Sequence, residues 1–357
     1  MRGMRREGVG GRARTVYLWG MVALSVLDLS PVTTATPPSA ALRNSLDLAR
    51  HIDGLGYTRL WLAEHHNLAN IASSAPDIMI GQVAAITKNL RVGSGGVMLP
   101  NHAPLMVMER FKVLEALFPG RIDLGLGRAP GTDQVTSLAL RRRQDTENEQ
   151  DDFLDRFQEM ILFETNGFPQ NHPFAKVSAM PTDVKLPPIW LLGSSDYSAQ
   201  LAAHVGAGFS FAHHFSDFPP EIPMLNYRNQ FKPSAWRDTP YAILGLAAIV
   251  ADTEVEADHL AKSADLHFAR RALGQYGPLA SPEEAAAYPY TPIDRQRVAH
   301  NRSRLIVGSP GQVRERIQTL VDKTKADEVM VTTMVFDHAA RKRSYELLSN
   351  EFGLTKA

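Results

Sequence analysis

The chain has 357 residues, of which 44% are hydrophobic and 21% are charged, a composition typical of a globular protein with a large core. Its 38 basic and 38 acidic residues leave no net charge, so nothing indicates a nucleic-acid partner or an anionic membrane surface. The absence of cysteine excludes disulfides, thiolate catalysis and cysteine-ligated metal, and it fits a cytoplasmic location.

The N-terminal residues resemble a signal peptide, because five arginines precede the apolar stretch Val16–Leu27. The pattern that follows needs an element here, however, and Met21–Leu27 has the character of a first strand. We therefore expect residues 1–20 to be a disordered extension and residues 21–357 to form one domain. No apolar stretch approaches the roughly 20 residues that a membrane span requires.

Short apolar runs alternate with helix-period sequence along the rest of the chain, beginning with a helix that Ser39 is expected to cap. An irregular excursion at 166–188 precedes the fifth run, and a Pro-, Ala- and Tyr-rich insertion at 274–303 separates the seventh from the eighth. The predicted strands are Met21–Leu27, Arg59–Ala63, Leu90–Val97, Ile122–Gly127, Ile189–Gly193, Gly208–Ala212, Tyr241–Val250 and Glu328–Thr333.

Eight strands that alternate with helices predict an α/β fold of the (β/α)8 TIM-barrel type. The alternative is an open doubly wound sheet, which would need a Gly-x-Gly-x-x-Gly turn after an early strand. The segment Gly125-Leu-Gly127 fails this test, because Arg-Ala-Pro-Gly continues it. We therefore predict one barrel domain.

Polar residues follow the C-terminal ends of five successive strands, which is where barrel enzymes place their chemistry. Neighbouring residues of an extended segment face opposite sides, so His65 and His66 cannot both face one ligand unless the strand has already ended. One is expected to handle protons and the other to orient it or hold the loop; for any single histidine, a purely structural role is the alternative. The polar residues are Glu64, His65, His66, Asn101, His102, Arg128, Ser194, Ser195, His213 and His214.

Two further segments predict a ligand at this end of the barrel. Glycines inside Gly93–Gly96 indicate close approach of a flat group to the backbone or an unusual peptide geometry, the alternative being a bulge that curves the barrel. The segment Gly193–Ser198 joins a strand to a helix start, which favours anions. Arg128, one strand away, could grip a phosphate there; the alternative is ordinary capping by Ser194 or Ser195.

Together these segments resemble the bacterial luciferase-like, flavin-dependent monooxygenase family, in its non-luminous, single-subunit form. The resemblance extends from about Met21 to Phe352, and no single piece decides it. The strongest pieces are Trp61–Asn67, Val92–Pro104, Pro119–Asp133 and Pro188–Ser198.

The resemblance implies roles for individual residues. The Glu-His-His of the family falls on residues 64–66, which makes His65 and His66 the candidate catalytic residues, with His65 as the active-site histidine. The family's non-proline cis peptide, which underlies the flavin ring, falls on Gly95–Gly96. The residues that it implies for FMN binding are Ser94, Gly95, Gly96, Arg128, Gly193, Ser194, Ser195 and Ser198.

The resemblance also implies a reaction and partners. Reduced FMN would arrive as a cosubstrate from a separate flavin reductase, and O2 would be used to oxidise a small organic substrate under a mobile cover at 274–303. A homodimer is expected. Luciferase has alanines at Gly95 and Gly96, a reactive cysteine at Gly127 and an acidic residue at Ser194, and these departures argue against aldehyde oxidation and light emission.

Three other functions remain as alternatives. A metal-dependent hydrolase would want His-x-His on an early strand, and this pattern does not occur in the sequence, so no metal is expected. A related hydride-transfer enzyme that uses a deazaflavin could also employ Gly95–Gly96. The third alternative is a flavin-binding protein without catalytic activity.

Overall fold

Parallel strands close on themselves in the computed structural model, which describes residues 22–141 and 152–355. The described strands are β1 (Ala23–Asp28), β2 (Arg59–Leu62), β3 (Arg91–Ser94), β4 (Val97–Met98), β5 (Ile122–Gly127), β6 (Ile189–Gly193), β7 (Gly208–Ala212), β8 (Ala242–Val250), β9 (Leu305–Gly308) and β10 (Glu328–Thr332). The barrel order is β1-β2-β3-β5-β6-β7-β8-β10, and β10 pairs with both β8 and β1. The predicted TIM barrel is confirmed, whereas residues 1–20 lie outside the described range.

Two strands differ from the prediction. The expected single strand Leu90–Val97 is divided into β3 and β4, which flank the Gly95–Gly96 peptide and pair separately with β5. The strand β9 was not predicted, and it pairs with the C-terminal extension of β8, beyond the residues that β8 shares with β10.

Helices surround the barrel and cover its C-terminal end. Six of them have proline as their first residue, where the missing N–H costs no hydrogen bond. For this reason the first helix begins at Pro38 with Pro37 as its N-cap, and the predicted cap Ser39 lies inside it. The described helices are α1 (Pro38–Asp53), α2 (Pro76–Ile86), α3 (Pro104–Leu117), α4 (Gln134–Arg141), α5 (Phe153–Thr165), α6 (Asp196–Val205), α7 (Glu221–Gln230), α8 (Glu254–Arg271), α9 (Pro282–Ala287), α10 (Pro292–Arg302), α11 (Pro310–Thr324) and α12 (His338–Glu351).

The insertion after β8 is larger than the predicted 274–303, because α8 belongs to it together with α9, α10 and β9. Ala261 and Ala264 of α8 pack with Ile249 and Leu305. Ile249 and Ile243 are six residues apart on β8 and therefore face the same side of the strand, and Ile243 packs inside the barrel. The helix α8 therefore lies over the C-terminal end of the barrel on its β8 side.

A buried ionic cluster fills the opposite, N-terminal end of the barrel. The guanidinium of Arg59 donates two hydrogen bonds to Glu328, at 2.8 and 2.9 Å, and a third to Asp123 at 2.8 Å. Tyr241 also donates to Glu328, and the Arg59 guanidinium lies 4.8 Å from the centre of the Trp190 ring. Charges this deeply buried are stable only when paired. Because the paired side chains fill the N-terminal end of the barrel, that end is closed and ligands must enter from the other end.

Candidate active site

The mouth of the barrel, formed by the C-terminal ends of its strands, is lined by small residues. Strand pairing places Trp61, Gly93 and Asp123 on one inward face, so the inward positions on each strand follow in steps of two. At the level of the mouth, the inward position of six barrel strands, or of the residue that directly follows them, holds glycine, alanine or threonine. These positions are Ala63, Gly95, Gly127, Ala212, Ala247 and Thr332. The interior is therefore filled below and open at the mouth.

The peptide bond between Gly95 and Gly96 is cis, the geometry that the resemblance implied. A Cβ atom on Gly96 would lie 2.9 Å from the carbonyl oxygen of Gly125, and one on Gly95 would lie 2.7 Å from Leu27. The hydroxyl of the neighbouring Ser94 donates to this same Gly125 oxygen and accepts from the Gly125 N–H. Ser94 therefore fixes β3 to β5 with its side chain, and only its main chain could meet a ligand.

The loops after β2 and β4 converge on one buried carboxylate, Glu64, which is 1% exposed. It accepts hydrogen bonds from Nε2 of His66 at 2.9 Å, from Nε2 of His102 at 2.9 Å and from the backbone N–H of Met98 at 2.8 Å. A longer contact of 3.4 Å joins it to Asn101. Burial alone would raise the pKa of Glu64, but the hydrogen bonds from the two histidines and Met98 outweigh it and hold the pKa below its ordinary value.

The two adjacent histidines differ in their contacts. His66 is held by Glu64, whereas the buried Nδ1 atom of His65 has no hydrogen-bond partner among the described residues. Burial lowers the pKa of His65 to about 4, which the charge of Glu64 opposes and those of His66 and Arg271 reinforce. His65 is therefore neutral near pH 7, with a ring nitrogen that is available to a ligand. This matches the expected division of roles, although catalysis by either residue remains a prediction.

Arg128 and the start of α6 lie together, as the sequence predicted. The Arg128 guanidinium is 4.4 Å from the centre of the Tyr197 ring, in the first turn of α6. Ser195 is the N-cap residue, but its side chain makes no capping hydrogen bond. Ser198 is buried against Gly193, where a Cβ atom would lie 2.4 Å from the Ser198 hydroxyl oxygen. The arrangement offers hydroxyls, helix N–H groups and a cation at one point, which suits an anion.

Comparison with known proteins identifies the family. The family model described as luciferase-like monooxygenase matches residues 20–327. The chain belongs to the luciferase-like monooxygenase family. It is 42% identical over 326 residues to a luciferase-like monooxygenase of Escherichia coli K12, covering 91% of this chain and 96% of that protein. The resemblance that the sequence motifs indicated is therefore confirmed.

Two more relatives cover nearly the whole chain. An N-acetyl-S-alkylcysteine monooxygenase of Bacillus subtilis is 32% identical over 332 residues, which are 92% of this chain and 98% of the relative. The crystal structure of apo-MsnO8 has a TM-score of 0.85 at 34% identity and covers 94% of this chain and 99% of its own. Family membership supports a monooxygenase, and the particular reaction is treated below.

The barrel mouth holds further histidines besides the two that the sequence singled out as catalytic. Burial lowers the pKa of His214 to about 4, and the nearby His65 contributes to this shift. The Nδ1 atoms of His213 and His214 are buried without a hydrogen-bond partner in the described part of the chain. His267 of α8 contacts Asn70 across 3.5 Å, and no sequence signal marked it, because the two residues are separated by nearly two hundred positions.

Within residues 22–141 and 152–355, no group of three histidine, aspartate or glutamate side chains lies close enough to hold a metal ion. None of the helices in those ranges combines the length and apolar character that crossing a bilayer requires.

Proposed function

We propose that this chain is a flavin-dependent monooxygenase that uses reduced FMN and O2 to oxidise a small organic substrate. The observation that carries the proposal is the juxtaposition, at the barrel mouth, of a side-chain-free backbone at Gly95–Gly96 with a neutral His65 whose buried Nδ1 atom has no partner in the described ranges. When bound, reduced FMN would supply the electrons for oxygen chemistry. The protein would contribute binding, orientation, water exclusion and proton handling.

The residues present fit a flavin at both of its ends. Gly95, which is partly exposed, would leave the main chain bare towards the ring, and a Cβ atom on the buried Gly96 would contact the Gly125 carbonyl. The small residues at the strand ends leave room for a flat ring above the filled interior. At the other end, Arg128 and the N-terminus of α6, with Ser194, Ser195 and Ser198, would hold a phosphate.

His65 would hold or move a proton at its imidazole ring, whose buried Nδ1 atom has no hydrogen-bond partner among the described residues. A neutral imidazole can either accept a proton or donate a hydrogen bond near pH 7. His66 would be a positioning residue, because its Nε2 atom is bound to Glu64. The Glu64 contacts with His102 and Met98 fix the adjoining loop, which follows directly on Gly95–Gly96.

The insertion would exclude water from the reaction. Besides packing on Ile249, it is tied to the loop after β7, where Arg304 donates to Asp217 at 2.8 Å and to the Phe215 carbonyl at 3.0 Å. The backbone of Leu279 pairs with the loop after β1, at Val32 and Thr34. These three contacts support the proposal that the insertion acts as a cover over the mouth, the role that the family resemblance implies for 274–303.

The proposal includes a separate flavin reductase and a second copy of the chain. A reductase is needed because the proposed reaction consumes reduced FMN, and a cysteine-free chain suits the reducing cytoplasm in which reductases operate. One face of α3 exposes Met106, Val113 and Leu117, and the neighbouring α2 exposes Ile78. Four large apolar side chains on two adjacent helices favour burial against an identical pair, which light scattering would test.

Titration of the purified protein with FMN tests the function, followed by measurement of oxygen consumption with reduced FMN. N-acetyl-S-methylcysteine is a suitable first substrate, because a relative with 32% identity is named for that class. We expect micromolar FMN binding and substrate-dependent oxygen uptake. Binding of deazaflavin F420 in place of FMN would favour hydride transfer instead, and FMN binding without oxygen uptake for any substrate would leave a flavin-binding protein.

A further inference from the structure

The helix α8 turns one face towards the barrel mouth along its whole C-terminal half. Ala264 packs with Ile249 on this face, and His267 and Arg271 follow three and seven residues later, which places them on the same side of the helix. The contact between His267 and Asn70 confirms the direction, because Asn70 belongs to the loop that carries His65. The end of α8 therefore presents an imidazole and a guanidinium beside the proposed catalytic histidine.

Arg271 differs from the other arginines of the insertion. Arg270 forms an ion pair with Glu284 at 2.9 Å, and Arg302 donates to Asp265 at 2.6 and 2.7 Å. By contrast, the side chain of Arg271 makes no hydrogen bond, ion pair or ring contact within residues 22–141 and 152–355, and the residue is exposed. A cation that is placed at a ligand entrance without a counter-ion is suited to bind an anion from solution.

The surroundings of Arg271 are electropositive. Burial, and next the charge of Arg271, lower the pKa of His267 to about 4, and no carboxylate opposes that shift. The carboxylate of Glu64, whose charge acts on His65, is bound to His66 and His102. His267 is neutral at pH 7 and has a ring N–H to donate. An incoming carboxylate would therefore meet a guanidinium and a neutral imidazole.

We infer that the substrate of this site is an organic anion whose carboxylate is bound by Arg271 and His267. This inference rests on the proposed function, because it assigns the substrate class of the same site. The planar guanidinium matches a carboxylate through two parallel hydrogen bonds. Exposed apolar side chains nearby, Leu273 and Tyr276 after α8 and Phe215 against the His214 ring, would contact the apolar part of the same molecule.

The test compares acids with their uncharged amides on the FMN-loaded, full-length protein. Calorimetric titration would use three pairs, phenylacetate and phenylacetamide, hexanoate and hexanamide, and methylthioacetate and methylthioacetamide. We expect at least one acid to bind roughly tenfold or more tightly than its amide, as a charged hydrogen bond implies. Arg271→Ala should abolish this preference and Arg271→Lys should retain part of it.

The matched control is Lys262→Ala, which removes one positive charge from the same helix nine residues away and should keep the preference for acids. If no acid binds, if acids and amides bind equally, or if Arg271→Ala keeps the preference, the inference is overturned. FMN affinity is measured in the same samples. If FMN does not bind, the proposed function alone is refuted. The acids and amides are then compared on flavin-free protein, where a preference for acids that depends on Arg271 would still support an anion site.

Discussion

The Nε2 atom of His102 lies 2.9 Å from one oxygen of Glu64 and 3.0 Å from the other, so one imidazole spans both oxygens of a buried carboxylate. The pair joins the loop after β2 to the loop after β4. The first of these loops carries His65, and the second follows the strand that begins directly after Gly95–Gly96. Glu64 therefore connects the proposed flavin seat to the proposed catalytic histidine.

Glu64→Gln should destabilise the protein. The carboxamide keeps the size of the side chain, but its NH2 group cannot accept the hydrogen bonds that His66, His102 and the Met98 N–H donate to the carboxylate. Breaking a buried, paired charge in this way costs about 3 kcal/mol, and the free energy of unfolding in urea would measure it. Glu315→Gln, at an exposed position on α11, should change the free energy by less than about 0.5 kcal/mol. Equal stability of both variants would contradict a structural role for the Glu64 cluster.

The contribution of Glu64 should also depend on pH. Folding lowers the pKa of Glu64, so the folded state binds fewer protons than the unfolded state in the acid range. The stabilisation is therefore complete above the unfolded pKa, near 4.3, and is lost as the pH falls through the lower folded value. The difference in unfolding free energy between wild type and Glu64→Gln should shrink on acidification below about pH 4. A constant difference would show that Glu64 is not ionised.

His65→Ala should reduce turnover roughly 100-fold or more, as loss of a general acid–base group does, and should leave FMN affinity nearly unchanged. His204→Ala, at an exposed position on α6, is the control. Because the pKa of His65 is about 4, activity that needs the neutral ring should persist down to about pH 5, whereas an ordinary histidine would lose it near 6.5. Loss of folding in His65→Ala would indicate a structural residue instead.

The sequence predicted the barrel and most of its mouth, because both depend on local patterns. Alternating apolar runs locate the strands, and the polar residues that follow them must meet at one end. Contacts between distant segments could not be predicted this way. Arg59, Asp123 and Glu328 begin or adjoin apolar strands, and only barrel closure brings their charges together. Arg271 lies in an insertion helix whose position is set by packing on Ile249.

Gly96→Ala should destabilise the protein by about 1–3 kcal/mol, as overpacking does, because the added methyl group would lie 2.9 Å from the backbone oxygen of Gly125. Gly95→Ala should cost less, since its methyl group meets side-chain atoms, of Leu27 at 2.7 Å and of Trp61 at 3.0 Å, rather than backbone. Gly54→Ala is the control, because no atom of the described residues lies within 4 Å of its Cβ position. Urea unfolding of the three variants would give the order, and equal costs at Gly95 and Gly96 would contradict the close backbone approach.

Arg128→Ala should weaken FMN binding by about 1.5–3 kcal/mol if the guanidinium binds the phosphate, the usual contribution of a charged hydrogen bond. Riboflavin, which lacks phosphate, should be affected far less, so the ratio of the two dissociation constants isolates the phosphate contact. Arg50→Ala, an exposed position on α1, controls for net charge. Tyr197→Leu removes the ring beneath the guanidinium and should weaken FMN binding by a smaller factor, because the cation remains but is less well positioned. Equal losses for FMN and riboflavin in Arg128→Ala would place Arg128 outside the phosphate site, and the start of α6 would then have to hold the phosphate without it.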